Sequence, residues 1–316
     1  MAKYIASRLG AMALTLFLIM TLSFWVIRLM PMSIFENPEV SPEVQRKLED
    51  RMHLNEPMVV QYAYFLGGIL TRGDFGTSVK MRPGKEVFAI IRERIPPTVV
   101  LNLLSLLLSI PLGILAGTAA ALRRNTWVDH LISFFIVIFI SVPSFVFASL
   151  LQYAFTYAWP LFPTLYDAQA PSVFAAFRSM VLPIIALALG PVATIARYLR
   201  GELIETLGAE YMLLARTKGL TRRQATFRHA FRNSLVPIAN TIIPLIAGIM
   251  GGSLVIEKIF AVPGEGGILV DSILAGDHFL TVACLIFYSV ISLTSILVVD
   301  VSYGIIDPRI RIGGGK

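Results

Sequence analysis

The sequence predicts an all-α, polytopic membrane protein with six transmembrane helices and with both termini on the cytoplasmic side. Hydrophobic residues make up 56% of the 316 residues, charged residues only 15%, and the mean hydropathy is +0.73. This composition is typical of multi-spanning membrane proteins. We therefore expect a single membrane domain over residues 1–316. Six apolar runs supply the predicted spans: Leu9–Ile27, Thr98–Leu122, Leu131–Tyr153, Met180–Ala196, Ile238–Ile256 and Phe279–Val299.

The first apolar run follows Lys3 and Arg8, an arrangement that also begins signal peptides. This run is long enough to cross a bilayer, and no small-residue cleavage site follows it. We interpret it as an uncleaved first span.

The distribution of charge predicts the orientation of the chain. With the N-terminus inside, the inner segments carry fifteen Lys and Arg residues against six Asp and Glu residues. The long segment 31–97 carries nine of each and is neutral. Cytoplasmic loops are enriched in Lys and Arg, so the pattern predicts an N-in, C-in topology with 31–97 outside.

The segment 31–97 predicts a helical outer extension between the first two spans. Ser41-Pro42-Glu43 suits a helix start, and Pro96-Pro97 should end a helix before the second span. The predicted elements are helices over 41–53, 57–66 and 86–94 and a turn at 73–76.

The longest polar segment on the predicted cytoplasmic side is 197–237. Its sequence predicts two short helices separated by a residue pair that ends the first one. Residues 209–217 contain neither Gly nor Pro and end at Lys218-Gly219, where glycine suits the left-handed conformation that closes a helix. Thr221 and Gln224 have the spacing of a capping box at the start of the second helix.

The second helix has one apolar face and one polar face. The apolar face has helical spacing and comprises Phe227, Ala230, Phe231, Ser234 and Leu235. The polar face comprises Arg228, His229, Arg232 and Asn233. A basic loop that only fixes topology needs charge, but it needs neither a second cap nor an apolar stripe. We therefore favour a docking element that inserts into a partner protein, with a simple topology anchor as the alternative.

The spans contain prolines but lack charges at their centres. Pro111, Pro143, Pro183 and Pro191 predict kinks. No Asp, Glu, Lys or Arg lies in the middle of a predicted span, although ion-coupled transporters generally need such groups. A sodium site can also be built from carbonyls and hydroxyls alone. A stand-alone ion-coupled secondary transporter therefore stays an alternative. In the fifth span, a small-residue patch at 248–253 indicates close helix packing or a pathway lining.

Several kinds of chemistry have no signature in the sequence. The C-terminal Gly-Gly-Gly-Lys lacks the strand and helix that surround a phosphate-binding loop, so no ATP-hydrolysing site is predicted. The four histidines are scattered, and Cys284 lies alone in an apolar run, which predicts a packing role. The net charge of +7 is distributed between apolar spans, and no nucleic-acid-binding motif is present. We expect neither a catalytic site nor a cofactor or metal site on this chain.

Separated motifs resemble the permease subunits of ABC importers, in the oligopeptide/dipeptide/nickel branch and most closely the oligopeptide permease B type. These motifs are LNEPMVVQY, GDFGTS, RIPPTVVLNLL, the 197–237 loop, Pro-Gly-x-Gly at 263–266 and VDVSYGIIDPRIRI at 299–312. The general importer loop has Glu-Ala-Ala where this chain has Leu213-Leu214-Ala215, and its spacing from Gly to Pro is shorter. The carried-over coupling residues are Tyr211, Ala215, Arg216, Thr217, Lys218, Gly219, Leu220, His229, Arg232, Asn233 and Pro237.

The resemblance implies a multi-pass protein of a prokaryotic cytoplasmic membrane. It implies a second homologous permease subunit, two ABC ATPase subunits that hold ATP and Mg, and an outer substrate-binding protein. Oligopeptides are the expected substrate, with dipeptides, nickel or another small solute as alternatives. The outer extension 31–97 is expected to be either a scaffold or a contact for the substrate-binding protein.

Overall fold

A computed structural model describes residues 2–29, 42–51, 53 and 55–306. Within these ranges the regular elements are helices, and a single isolated antiparallel bridge joins Thr77 and Glu86. The predicted helix start at Ser41, part of the extension at 30–41, and the C-terminal motif beyond Ile306 lie outside the described residues.

Thirteen helices are present in the described part of the chain. Two of them continue as π-helical turns, α6 through Tyr153–Ala158 and α9 through Thr226–Phe231. The helices are α1 Ala2–Leu29, α2 Pro42–Arg51, α3 Met58–Arg72, α4 Val87–Leu122, α5 Trp127–Ser141, α6 Ser144–Gln152, α7 Val173–Leu207, α8 Glu210–Thr217, α9 Arg222–Ala225, α10 Arg232–Ala247, α11 Leu254–Ile259, α12 Glu265–Ala275 and α13 His278–Ile306.

The described helices confirm the all-α polytopic fold class. Five are long and apolar enough to span a membrane, and a sixth span results if α5 and α6 with its π-helical turn count as one. The five are Ile5–Leu29, Val87–Leu122, Val173–Leu207, Arg222–Ala247 and His278–Ser302.

The predicted third span, 131–153, is not one straight helix. The chain bends by 103° between α5 and the helix that follows it. Val142 is extended, with φ −91° and ψ 127°, and Pro143 follows it. Proline has no N–H and excludes the helical conformation from the residue before it, so the break falls at this pair.

The second span begins earlier than predicted, because Pro96-Pro97 do not interrupt α4. The carbonyls that lose their helical donors belong to Arg92 and Glu93, and both residues are exposed. Exposed carbonyls can hydrogen-bond to solvent in place of a helical donor. The predicted helix over 86–94 therefore continues directly into the second span.

The fourth and fifth spans also differ from the prediction. Helix α7 continues to Leu207, so residues 197–207 are helical rather than part of a loop. Helix α10 passes through Pro237 and Pro244 and ends at Ala247. The small-residue patch at 248–253 therefore forms an irregular connection before α11, and Gly252 has a φ of +65°. Glycine tolerates this conformation, in which a helix cannot continue.

The outer extension contains the predicted helices, with α3 ending six residues later than expected. The predicted turn at 73–76 is confirmed, with a φ of +62° at Gly73 and +89° at Gly76. The Pro-Gly-x-Gly segment is not only a loop, because Gly264 is the N-cap of α12.

The chain divides into two compact units. The first comprises Met1–Pro96 and Gly264–Leu293, and the second comprises Pro97–Pro263 and Thr294–Lys316. Cys284 is fully buried in an apolar cluster of the first unit, which confirms its packing role. In the second unit, α5, α6 and α10 all pack against α7.

Candidate coupling surface

Within the second unit, small and apolar side chains hold the short helix α8 against its neighbours. Met212 and Ala215 are buried on its inner side. They form a cluster with Ala121 at the end of α4 and Leu203 in α7. Ala225 and Ala230, from the helix after α8, complete the buried part of this cluster. Small residues let the helices approach closely, so α8 is packed onto the ends of α4 and α7.

The predicted stop after α8 is present. Gly219 has a φ of +91°, a conformation that L side chains rarely adopt. Its N–H donates to the carbonyl of Arg216 at 3.0 Å, and the N–H of Leu220 donates to that of Ala215 at 3.3 Å. Leu220 then packs against the cluster under α8. The turn at Gly219 therefore returns the chain to the buried cluster under α8, which we call the anchor of α8.

The predicted capping box is also confirmed. The N–H of Gln224 donates to the hydroxyl of Thr221 at 3.3 Å. The N–H of Thr221 donates to Oε1 of Gln224 at 3.0 Å. Two backbone donors at the start of α9 are thereby satisfied.

The predicted apolar face of the second helix is only partly correct. Ala230 and Ser234 are fully buried, and Phe231 and Leu235 pack against a core cluster. Phe227 is instead half exposed. Residues 226–231 are π-helical, with i→i+5 hydrogen bonds, so the 3.6-residue period used in the prediction does not apply there.

The outer side of α8 is apolar and exposed. Leu213 is 68% exposed and Leu214 is 55% exposed, with Tyr211 and Phe227 also accessible. We call these four residues the exposed apolar surface. Segment 209–235 carries six Lys and Arg residues and one acid, Glu210. In the described part of the chain, Arg216, Lys218 and Arg232 form no ion pair.

The carried-over coupling residues fall into three groups by exposure. Ala215 is buried and belongs to the anchor of α8, whereas Leu220, His229 and Pro237 are half-buried. The exposed ones are Tyr211, Arg216, Thr217, Lys218, Gly219, Arg232 and Asn233.

An ion pair between α5 and α7 was not predicted from the sequence. Arg200 in α7 donates to both carboxylate oxygens of Asp129 in α5, at 2.6 and 2.8 Å. Asp129 is 1% exposed and also accepts from the N–H of Asn125 at 2.9 Å. In the sequence, both residues contribute only to the charge distribution that predicts the topology. Their positions at the ends of neighbouring spans were the available signal.

A close contact between α4 and α7 was also missed. A Cβ atom built on Gly113 would lie 2.7 Å from Cβ of Ile195, and one on Gly117 would lie 2.7 Å from the carbonyl oxygen of Ala196. The signal was the Gly-x-x-x-Gly spacing, which lets helix backbones approach closely in membranes.

A pair of hydroxyls connects α7 to α10. The side-chain oxygens of Thr206 and Ser234 lie 2.8 Å apart. Ser234 is fully buried and also donates to the carbonyl of Ala230 at 2.8 Å. Segment 209–235 is thus joined at both ends to membrane helices.

Among the residues described, no group of three or more His, Cys, Asp or Glu side chains is arranged to hold a metal ion. The expectation that ATP and Mg bind to partner subunits stays a prediction.

Comparison with known proteins identifies the family. Residues 109–312 match the family described as binding-protein-dependent transport system inner membrane component, and residues 1–102 match its N-terminal membrane component. The chain is 40% identical over 312 residues to a dipeptide transport system permease protein of Lactococcus lactis, covering 99% of this chain and 100% of the relative. It is 37% identical to a dipeptide transport system permease protein of Bacillus subtilis, covering 99% of each chain. It is 36% identical to an oligopeptide transport system permease protein of Salmonella typhimurium, covering 98% of this chain and 100% of the relative.

The motif resemblance is therefore confirmed along the whole chain. The matched description also confirms a transport component of the inner membrane rather than an enzyme. The chain belongs to the family of inner membrane components of binding-protein-dependent transport systems.

Proposed function

We propose that this chain is one of two permease subunits of an ATP-driven importer of peptides. Its partners are a second, homologous permease, two ABC ATPase subunits and an outer substrate-binding protein. The family supports the importer, and the dipeptide and oligopeptide transport systems of the relatives support peptides as the substrate class.

The exposed apolar surface carries the proposal for coupling. Leu213 and Leu214 project from a helix whose other side is fully packed, so their exposure is a fixed property of the fold. Exposed apolar groups rimmed by charge are typical of protein interaction sites. A groove on an ATPase subunit would bury the leucines, and acidic groups at its edge would pair with Arg216 and Lys218.

The packing around α8 provides a route for motion. The buried cluster joins α8 to the ends of α4 and α7, and the hydroxyls of Thr206 and Ser234 join α7 to α10. In the proposed mechanism, ATP closes the ATPase pair, segment 209–235 moves with it, and the joined spans rock between inward and outward access. ATP shifts this equilibrium only by its difference in affinity for the two states, so the docked surface must transmit that difference.

Copurification from native membranes tests the coupling proposal. The tagged full-length chain is extracted in mild detergent, and ATPase activity is assayed in the eluate. Leu214→Asp is compared with Leu161→Asp, because each leucine is 55% exposed but Leu161 lies in the loop before α7. We expect the Leu214 variant to lose most of the associated ATPase and the Leu161 variant to retain it.

Equal ATPase recovery from the two variants would remove the exposed apolar surface from the interface. If the wild-type chain elutes alone and moves substrate under an ion gradient after reconstitution, the stand-alone ion-coupled transporter replaces the importer.

Uptake competition tests the substrate. The preference for oligopeptides over dipeptides, predicted from the C-terminal motif, stays a prediction, because the relatives include both kinds of system. A labelled pentapeptide is offered to cells with an excess of unlabelled dipeptide, pentapeptide or nickel. Competition by the pentapeptide alone supports an oligopeptide importer, whereas stronger competition by the dipeptide reverses the preference.

A further inference from the structure

The first unit contains a cavity of about 310 Å³, at the small end of the ~300–1,000 Å³ range of ligand pockets. Phe24, Phe65 and Phe279 provide an aromatic lining. The guanidinium groups of Arg28, in the last turn of α1, and Arg72, in the last turn of α3, also line it. None of these residues lies in segment 209–235 or in the helices that hold it.

Arg28 is held by aromatic rings, and no described residue forms an ion pair with it. Its Cζ atom lies 5.6 Å from the ring centre of Phe24 and 5.8 Å from that of Phe279. Its Nε atom is buried and has no hydrogen-bond acceptor among the described residues. A buried N–H without an acceptor is costly, so this group favours a ligand that supplies one.

The cavity as a whole has an excess of positive charge. Within the described ranges, neither Arg28 nor Arg72 forms an ion pair. Asp74 also lines the cavity, and its Oδ1 atom accepts the N–H of Gly76 at 2.8 Å. Two guanidinium groups against one carboxylate, with His53 also in the lining, suit an anion with several acceptor oxygens.

The surroundings of Arg28 are those of a membrane interface. Helix α1 is apolar over Ile5–Leu29, so with the N-terminus inside Arg28 lies at its outer end. Near it, the rings of Trp25 and Tyr62 lie 6.4 Å apart, and both have the mixed character of residues that mark the edge of a bilayer. Phe17 is exposed seven residues before Phe24, on the same face of α1, and offers an apolar surface below the cavity.

We propose that this cavity binds the phosphate of an anionic phospholipid in the outer leaflet. The two guanidinium groups contact the phosphate oxygens, and the acyl chains extend along the face of α1 that carries Phe17. A free phosphate ion has the same oxygens but gains nothing from the apolar surface. This proposal does not depend on the substrate or on the coupling surface.

Lipid binding to the purified full-length chain tests the proposal. The delipidated protein in detergent is titrated with phosphatidylglycerol, and bound lipid is counted by native mass spectrometry while the thermal unfolding midpoint is recorded. Parallel titrations use inorganic phosphate and trialanine, which present the phosphate and a peptide carboxylate without acyl chains. The variants are Arg28→Gln and Arg72→Gln, with Arg92→Gln as an exposed control in the same unit.

We expect phosphatidylglycerol to raise the midpoint of the wild type, and each cavity variant to weaken its binding about tenfold, the effect of losing one charge-assisted contact. The Arg92 variant should bind like the wild type. Arg72 is exposed, so its variant tests the site even if the Arg28 variant does not fold. Unchanged lipid binding in the Arg72 variant would overturn the proposal. An equal midpoint shift with inorganic phosphate, or displacement of the lipid by trialanine, would overturn the lipid assignment.

Discussion

Arg200 and Asp129 form a two-point ion pair between α7 and α5, with Nε–Oδ1 and Nη2–Oδ2 distances of 2.6 and 2.8 Å. Asp129 lies in the first turn of α5, and Arg200 lies two turns before the end of α7. Removing Arg200 would leave the buried carboxylate of Asp129 without its counter-charge. The pair therefore fixes the end of α7 relative to the start of α5.

We expect Asp129→Asn to destabilise the protein by about 1–3 kcal/mol, below the ~3–5 kcal/mol for a fully buried pair, because the Arg200 side chain is partly exposed. The measurement is the thermal unfolding midpoint in detergent. The control is Glu93→Gln, which breaks the exposed pairs of Glu93 with Arg82 and Lys85 and should change the midpoint little. Equal shifts in the two variants would contradict a structural role for the buried pair.

Gly219→Val should reduce transport and weaken assembly with the ATPases. A side chain at a φ of +91° is strained by about 1–2 kcal/mol, although no atom lies within 4 Å of the new Cβ. Gly201→Ala is the matched control, because Gly201 also has open space but lies inside α7, where alanine is favoured over glycine. Wild-type peptide uptake by the Gly219→Val variant would count against the turn as a coupling element.

Gly117→Val should destabilise the second unit by about 1–3 kcal/mol, because the added Cβ would lie 2.7 Å from the backbone oxygen of Ala196 and would force α4 and α7 apart. Gly190→Val serves as the control, since its Cβ would meet nothing within 4 Å. Thermal unfolding of the two purified variants gives the comparison. If Gly117→Val unfolds no earlier than the control, the close packing does not contribute to stability.

Met212→Ala and Leu214→Ala should affect different properties. Truncating the buried Met212 removes packing under α8 and should cost about 2–5 kcal/mol at most, less if the cluster closes around the gap. Truncating the exposed Leu214 should leave the unfolding midpoint unchanged but reduce ATPase copurification. A lower midpoint for the Leu214 variant would show that this residue is part of the anchor.

Asp277→Ala should loosen the segment between α3 and α4. Oδ2 of Asp277 accepts the hydroxyl of Ser78 at 2.5 Å and the N–H groups of Lys80 and Met81 at 3.1 and 3.0 Å. Leaving such donors without an acceptor costs about 1–3 kcal/mol each. Limited proteolysis should then cleave residues 78–85 several times faster than in the wild type. The control is Asp74→Ala, which removes only an exposed acceptor for Gly76, and equal cleavage of both variants would contradict the role of Asp277.

Local features of the structure were predicted well from the sequence, whereas contacts between distant residues were not. The capping box at Thr221 and the turn at Gly219 depend on residues within four positions of each other, so spacing alone was sufficient. The ion pair of Asp129 with Arg200 joins residues 71 positions apart. Such a pairing depends on which spans lie side by side, which a single sequence does not state.

The predictions of helix boundaries and register were wrong where solvent exposure or irregular hydrogen bonding decides them. Pro96-Pro97 should end a helix by local rules, but the carbonyls they free belong to exposed residues, so α4 continues. Pro143 does break its helix, because the residue before it is extended. The π-helical register that exposes Phe227 has no sequence signal comparable to a cap.

The helix that begins at the capping box does not end at the membrane. Residues Arg222–Ala247 form one candidate span of 26 residues, about 39 Å long at 1.5 Å per residue. No flexible linker separates its exposed N-terminal end from its apolar part, so a displacement at Arg222 is transmitted along the helix. A sideways displacement of about 2 Å at one end of such a rod tilts it by only about 3°. The irregular connection at 248–253 follows its far end, and its glycines permit a small change of angle before α11 begins.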